Sequence, residues 1–363
     1  MKTACAIMAV YNEADVVREA VCKLIAQGVD VHLIDNASTD GTAERVADLV
    51  GRGVTDIETV RFFEDGREVY DWTALLKLKE TRSRTLGHDW FLHVDADEIR
   101  HAPWPGLSLR EGLDRVDAAG YNLVNFKLFN FRLTADTVVD PADFEASMTL
   151  YSGTERFNQR QVKAWKGHPE VDIASLGGHH IRVPGARVFP TRFIHKHYPV
   201  RSLEHGRRKI LAERKARFSK AEKARGWHVQ YDHLADIDPA AVYWDPAQLT
   251  AFDMDRERQA LFIESSSVLA EAFGDGGVLD EAGFGARWSE RLQRDGVEAA
   301  HAAQLVGVAG RIAQLLAQQE LPPIAAAPED GRALRSIVGS LARTRYLQGD
   351  PLLYGRLPLL RFR

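Results

Sequence analysis

Two aspartates separated by a single residue, Asp95 and Asp97, follow directly on the apolar run Trp90 to Val94, and Glu98 comes next. An apolar run of that length reads as a buried strand, so Asp95-Ala96-Asp97 emerges at a strand end. Carboxylate oxygens with waters suit a hard cation such as Mg2+ or Mn2+, which in turn bridges the phosphates of a nucleotide. Such an ion neutralises the charge that develops on a departing diphosphate. Solvated loops also collect acids, so the pair is informative only in context. Two further polar clusters stand in the same relation to apolar runs: Tyr11-Asn12-Glu13 after Ala4 to Val10, and Asp35-Asn36 after Val31 to Ile34.

The elements that must position these clusters follow from the hydrophobic pattern. Ala14 to Gln27 carries Val17, Ala20, Val21, Leu24 and Ile25 at helical spacing between two strand-like runs, which makes a βαβ unit. Thr39 to Thr42 offers caps for a second helix, Ala43 to Val50; Ile57 to Phe63 reads as a third strand, Trp72 to Leu86 as a helix and Trp90 to Val94 as a fourth strand. Strands alternating with helices through short connections predict an α/β fold with a mostly parallel sheet and helices on both faces. Ligands on such sheets bind beyond the carboxyl ends of the strands, so all three clusters belong on one rim.

In that order and spacing, Val10 to Glu13, Ile34 to Thr42 and Val94 to Glu98 resemble the three successive motifs of glycosyltransferase family 2. The resemblance is strongest over residues 3–100. It implies a GT-A-type fold and transfer of a sugar from a nucleotide-sugar donor (UDP-, GDP- or dTDP-linked) to a saccharide or lipid-linked acceptor, with inversion. Carried over by position, Tyr11, Asn12 and Glu13 would line the base and ribose pocket, and Asp35 and Asn36 would read the nucleobase. Asp95 and Ala96 would contact the donor, with Asp95 on the ribose or the metal, and Asp97 would ligate Mn2+ or Mg2+ directly. This chain has Asn36 where the family often has a second acid, which shifts base recognition towards Asp35. Ser38 to Thr42 reads equally as a plain turn and helix cap. The helix before the metal strand packs near the donor in the resembling family, so one of Lys77, Arg82 and Arg84 would pair with phosphate or ribose, Arg82 first; a solvated helix face is the competing reading.

Eight of the thirteen histidines fall between His168 and His233. A site of this family commonly completes its cation with a late-sequence histidine. Alternation along Ile194 to Tyr198 points His195 and His197 to one face, and either is a candidate ligand, His195 narrowly ahead. Gly177-Gly178-His179-His180 competes, its glycines allowing close backbone approach. For the base that takes the acceptor proton, Asp172 and Glu170 are preferred among Asp140, Asp143, Glu145, Glu170 and Asp172, because they sit beside the polar, aromatic Lys163 to His168. Trp165 suits either a sugar face or the core.

The second half reads as loop-rich to about Tyr198, then as a basic amphipathic helix over 203–225 and further helices over 247–320. The expected division is a donor-binding and catalytic domain over 1–200 and a mainly helical region over 201–363, serving the acceptor or a second copy of the chain. Arg201, Arg207, Arg208 and Lys209 could meet the diphosphate or an anionic acceptor, although Glu204, Glu213 and Glu222 offer them ordinary partners.

With 363 residues, 45% hydrophobic and 27% charged, the chain can bury a full core and is not of disordered composition. A net charge of -4 gives no global field for nucleic acid. Cys5 and Cys22 read as buried reduced thiols, without a disulfide framework. No run of about 18 apolar residues occurs, and Thr3 to Val10 is too short for a signal-peptide core, which together predict a cytoplasmic protein. The Leu- and Arg-rich tail Leu352 to Arg363 suits peripheral contact at the inner face of a membrane, a cap on the helices, or an oligomer contact. The competing functional classes are a nucleotidyltransferase, disfavoured by Tyr-Asn-Glu where a Gly-rich basic loop belongs, and a non-enzymatic glycan- or nucleotide-binding scaffold.

Overall fold

In the computed structural model, residues 2–140, 142–153, 161–189, 191–209, 217–220, 242–261, 281–294, 296 and 298–307 are described. They belong to two compact units, the first made of residues 1–119, 123–183 and 192–258, the second of residues 120–122, 184–191 and 259–363.

The first unit is built on one large sheet. Strands β1 (Ala4–Val10), β2 (Asp30–Asp35), β3 (Val54–Thr59) and β6 (Trp90–Asp95) run parallel in the order β3-β2-β1-β6. Between β3 and β6 lie a separate two-stranded hairpin, β4 (Phe62–Glu64) with β5 (Arg67–Val69), and helix α2 (Trp72–Thr85). β1 and β6 are buried almost throughout, which explains their uninterrupted apolar runs: a parallel sheet is covered on both faces. Helix α1 (Val17–Ala26) covers the sheet with Val17, Ala20, Val21 and Leu24, the stripe visible in the sequence. α2 starts at Asp71, whose side chain accepts from Ala74 N at 2.9 Å.

The rest of the sheet adds antiparallel pairs. β7 (Glu98–His101) turns straight out of β6; after helix α3 (Leu109–Ala118) come β8 (Leu123–Phe131), β9 (Leu150–Ser152) and β10 (Gln161–Lys166), which inserts between β6 and β8. β11 (Phe193–His197) pairs antiparallel with β7 and parallel with β8, and β12 (Thr250–Ala251) extends the edge at β9. The α/β class matches the expectation, with the parallel order in the N-terminal half.

Several boundaries differ. The third strand ends at Thr59, and the chain folds back at Asp65-Gly66 into the hairpin, both residues at positive φ. The helix expected over 43–50 is the 3-10 helix Glu44–Leu49. The alternating stretch read over Ile194 to Tyr198 is strand β11, Phe193–His197. Cys5 is buried as expected, but Cys22 is exposed on α1.

Beyond residue 200 the described helical parts are helix α4 (Leu203–Arg207), the 3-10 helix Pro246–Gln248, and residues 254–261, 281–294 and 299–307. Within the second unit, Trp288, Leu292, Ala302 and Leu305 are buried. The helices expected over 203–225 and 247–320 are interrupted where the chain is described: Phe218 bridges to Tyr70, and Thr250–Ala251 form β12. Their other parts, and the tail from Leu352, lie outside the described residues. No helix among the described residues is long and apolar enough to cross a membrane.

Candidate functional site

Strand register brings the three polar clusters together. Val10 pairs with Asp35 on one side of β1 and Ala9 with Asp95 on the other, so Tyr11-Asn12-Glu13, Asp35-Asn36 and Asp95-Ala96-Asp97 leave the sheet side by side. The first and third of these clusters border an open cleft of about 630 Å³, counted with its solvent-filled mouth. Its lining comprises Ala9, Val10, Tyr11 and Glu13 from the β1 end, Asp95, Ala96 and Asp97 from the β6 end, and Tyr70, Trp72 and Leu75 from the start of α2. Lys209 and Arg217 complete it.

The loops at β1 and β2 lace each other. Asn12, at φ +54°, donates its N–H to Ser38 Oγ at 2.9 Å and accepts from Thr39 N at 2.9 Å; Glu13 N donates to Thr42 Oγ1 at 2.9 Å. Asp35 accepts from both the N–H and the hydroxyl of Ser38, at 3.0 and 2.5 Å. Asn36 joins Val10 O, Val60 O and the Arg217 guanidinium. Asp35 and Asn36 are almost wholly buried, so in this arrangement they shape the loop on which Tyr11 and Glu13 are carried.

At the β6 end, Asp97 Oδ2 is the meeting point of three basic groups: Lys209 Nζ at 2.8 Å, His197 Nε2 at 3.8 Å and Arg201 NH1 at 3.9 Å. Burial alone would raise the Asp97 carboxyl, but the cations beside it, Lys209 first and Arg201 with it, outweigh burial and hold the group well below the usual carboxylate range. Asp95 is shifted the other way, raised by burial and by the neighbouring Glu98. Behind it the fully buried Lys79 bonds His93 Nδ1 at 2.9 Å and lies 3.7 Å from Asp95 Oδ1; burial brings its ammonium down to about 8.

His195 and His197 share a strand face but not a surrounding. His197 lies beside Asn130 in the parallel β11–β8 register, and its Nδ1 is 2.8 Å from Asn130 Oδ1. A carboxamide oxygen only accepts, so Nδ1 carries the proton and the Nε2 lone pair faces Asp97. Burial keeps this ring below its ordinary value and hence neutral. His195 lies deeper, its Nε2 2.9 Å from Glu98 Oε1, in a buried group where Arg100 and Lys163 also pair with Glu98. Of the two candidate histidines, His197 faces Asp97 and His195 faces Glu98.

A divalent ion fits Asp97 and His197 in donor chemistry, with the second imidazole nitrogen fixed by Asn130 as metal-bound histidines usually are. Among the described residues no three His, Cys, Asp or Glu side chains converge tightly enough to form a cage. Two protein ligands suffice where nucleotide phosphates and water supply the rest.

Arg201 sits in the rim as a buried hub. Its guanidinium forks onto Asp15 at 2.8 and 3.0 Å, meets Glu13 at 2.5 Å, donates to Tyr198 O at 3.1 Å and lies 3.0 Å from His205 Nε2. Glu13 and Asp15 raise its affinity for the proton against the effect of burial. Arg217 stacks over the Tyr11 ring at 3.8 Å and pairs with Glu68 at 2.9 Å.

Other expected residues fall elsewhere. Arg82 forks onto Glu58, which also meets His32, and so joins α2 to β3 away from the cleft. Glu170 and Asp172 do not line the cleft. β10 runs antiparallel to β6, so the chain after Lys166 starts at the opposite sheet edge, where Gly167 N donates to Asp89 O. Asp172 accepts from Ser175 N at 3.0 Å, and Ile173 and Ala174 donate to Glu80, roughly 12 Å along α2 from Trp72. Neither acid is placed beside Asp97. Gly177-Gly178 is tightly packed: Trp72 Nε1 donates to Gly177 O, and a Cβ on Gly178 would come within 2.9 Å of His93 Nε2. Trp165 is core, stacked on Phe91.

Tyr70, Trp72 and Arg217 escaped the reading of the sequence. Tyr70-Asp71-Trp72, aromatics flanking a helix cap, is a signal for the first two; Arg217 had none, because its place depends on Tyr70 N donating to Arg217 O across a long separation.

The model of Glycosyl transferase family 2 matches residues 5–68, which include the first two clusters but not Asp95 to Asp97. No curated protein matches the chain. Solved structures similar to it include S. aureus TarS 1-349 in complex with UDP (12% identity, 96% of this chain and 92% of that one, TM-score 0.33). The mannosyltransferase PcManGT from Pyrobaculum calidifontis in complex with GDP-Man and Mn2+ is similar at 15% identity, 96% and 86% coverage, and a TM-score of 0.29. Against the longer S. aureus TarS structure the chain spans 55% of the other's length, covering 75% of its own, at 12% identity and a TM-score of 0.31. At such scores no residue role passes from those proteins to this one. What the three clusters suggest in the sequence holds where the family matches: over residues 5–68 this chain is similar to Glycosyl transferase family 2.

Proposed function

We propose that this chain is a glycosyltransferase that binds a nucleotide-sugar in the rim cleft, with a UDP-, GDP- or dTDP-linked donor and a saccharide or lipid-linked acceptor. The observation that carries the reading is Asp97, which lines the cleft together with Tyr11 and Trp72 and is faced at 3.8 Å by His197 from the end of β11. Aromatic faces suit a base or ribose, and the acidic end suits a cation with its phosphates.

In this reading Asp97 Oδ2 and His197 Nε2 would hold Mn2+ or Mg2+, which when bound offsets charge on the departing nucleoside diphosphate. Asn130 orients His197, Lys79 sits behind Asp95, and Arg201 fixes Glu13 relative to Asp97. Lys209 and Arg217 bring positive charge to a cleft that must accept an anionic donor. Inversion is implied by the family resemblance. Residues 1–200 then form the donor side, completed by Arg201, Lys209 and Arg217, and the later region serves the acceptor or a second copy.

The test is release of nucleoside diphosphate from a panel of nucleotide sugars with and without Mn2+. Asp97→Asn, checked for a retained fold by circular dichroism, should lose more than about a hundredfold in turnover. Unaltered turnover in that variant would sink the reading, and no release from any donor would leave a binding scaffold.

A further inference from the structure

Arg201 and Lys209 both meet Asp97 Oδ2 but are held differently. Arg201 is tied by its fork to Asp15, and by further bonds to Glu13 and Tyr198 O, so its guanidinium is fixed. Lys209 has two ion pairs, to Asp97 Oδ2 at 2.8 Å and to Glu13 Oε1 at 3.2 Å, on a flexible four-carbon stem. The oxygen it takes is the one that His197 Nε2 faces at 3.8 Å. An ammonium and a divalent ion shared by Asp97 and His197 compete for the same atom. Lys209 also lines the cleft, so an anion bound there would receive the ammonium once it leaves Asp97.

We propose that Lys209 is a built-in counter-cation that closes the Asp97 position until a divalent ion displaces it, and that its displacement couples ion binding to nucleoside diphosphate binding. The inference rests on the reading of Asp97 and His197 as ligands. By linkage the coupling is reciprocal: the diphosphate favours the displaced lysine and tightens the ion, and the ion tightens the diphosphate.

Mn2+ binding to the full chain, followed by the paramagnetic resonance of the free ion, tests this. Without nucleotide, Lys209→Met should bind Mn2+ about tenfold more tightly than wild type, the gain expected if the lysine is away from Asp97 a tenth of the time. UDP or GDP should tighten Mn2+ much less in the variant than in wild type. In the wild-type protein, saturating Mn2+ should raise labelling of Lys209 by an amine-reactive reagent severalfold, read by mass spectrometry. Equal Mn2+ affinity in the two proteins, or labelling indifferent to Mn2+, overturns the role of Lys209 and leaves the ligand pair standing. Failure of both proteins to bind Mn2+ even with UDP or GDP overturns the ligand pair and this inference together.

Discussion

His195 and His197 are two residues apart on one strand face, and their neighbours give them different work. His197 meets a fixed acceptor in Asn130 and turns its lone pair to Asp97; His195 is spent on Glu98 within a buried charge group. His197→Ala should weaken Mn2+ binding in the presence of nucleoside diphosphate by about 10–100-fold with little change in melting temperature. His195→Ala should leave Mn2+ affinity nearly intact and cost about 1–3 kcal/mol of stability, seen in denaturant titration. The alternation that puts both on one face was legible in the sequence. Their depth was not, because it depends on β11 lying between β7 and β8, a pairing of strands far apart along the chain.

At the scale of elements, the start of α2 and the loop before β11 hold each other in place. Trp72 lines the cleft and donates to Gly177 O, and Gly178, at φ +81°, lets the backbone pass against His93, Leu76 and Trp72. Gly178→Ala adds both a clash and a disfavoured backbone, so we expect a loss of about 1–3 kcal/mol in denaturant stability together with weaker nucleotide binding. Polar substitution at exposed positions of α2 such as Lys77 should do neither. The buried strands and α1 could be read from hydrophobic runs and periodicity, since burial dictates residue type directly. The β4–β5 hairpin carried its own marker in Asp65-Gly66, a turn dipeptide overlooked because Ile57 to Phe63, rich in β-branched and aromatic residues, reads as one strand. The helix expected over 43–50 is present as a 3-10 helix, a type that caps do not fix because they announce only a helix start.

For the whole molecule, the buried histidines set a direction for stability against pH. Burial holds His93 and His195 well below the ordinary imidazole value and brings His179 down to about 4. Unfolded, these rings take up protons near about pH 6.5; folded, they do not. The unfolded state therefore binds more protons as pH falls through that value, so their contribution is complete above it and is lost below it. Glu58 and Glu145, held low despite burial by Arg82, His32, His101 and Lys196, extend the loss below about pH 4. Asp95 and Glu19, raised by burial, oppose the trend as a minority. The melting temperature should fall by several degrees between about pH 7 and about pH 5 in a scanning measurement, each ring contributing at most about 1.4 kcal/mol per pH unit; a flat profile would contradict the burial of these rings. The cations that complete the rim were only half legible, since a basic run in a helix-like segment reads as a solvated face.

Arg201 reaches Glu13 across 188 positions of sequence, and Lys209 reaches Asp97 across 112. The rim acids are thus synthesised first and their counter-charges much later. At ordinary ribosomal rates Glu13 waits roughly ten to forty seconds for Arg201. Until then the nascent β1 and β6 ends carry carboxylates that cannot be buried unpaired, so this edge of the sheet stays open to solvent during synthesis and closes only when the chain past residue 200 has been made.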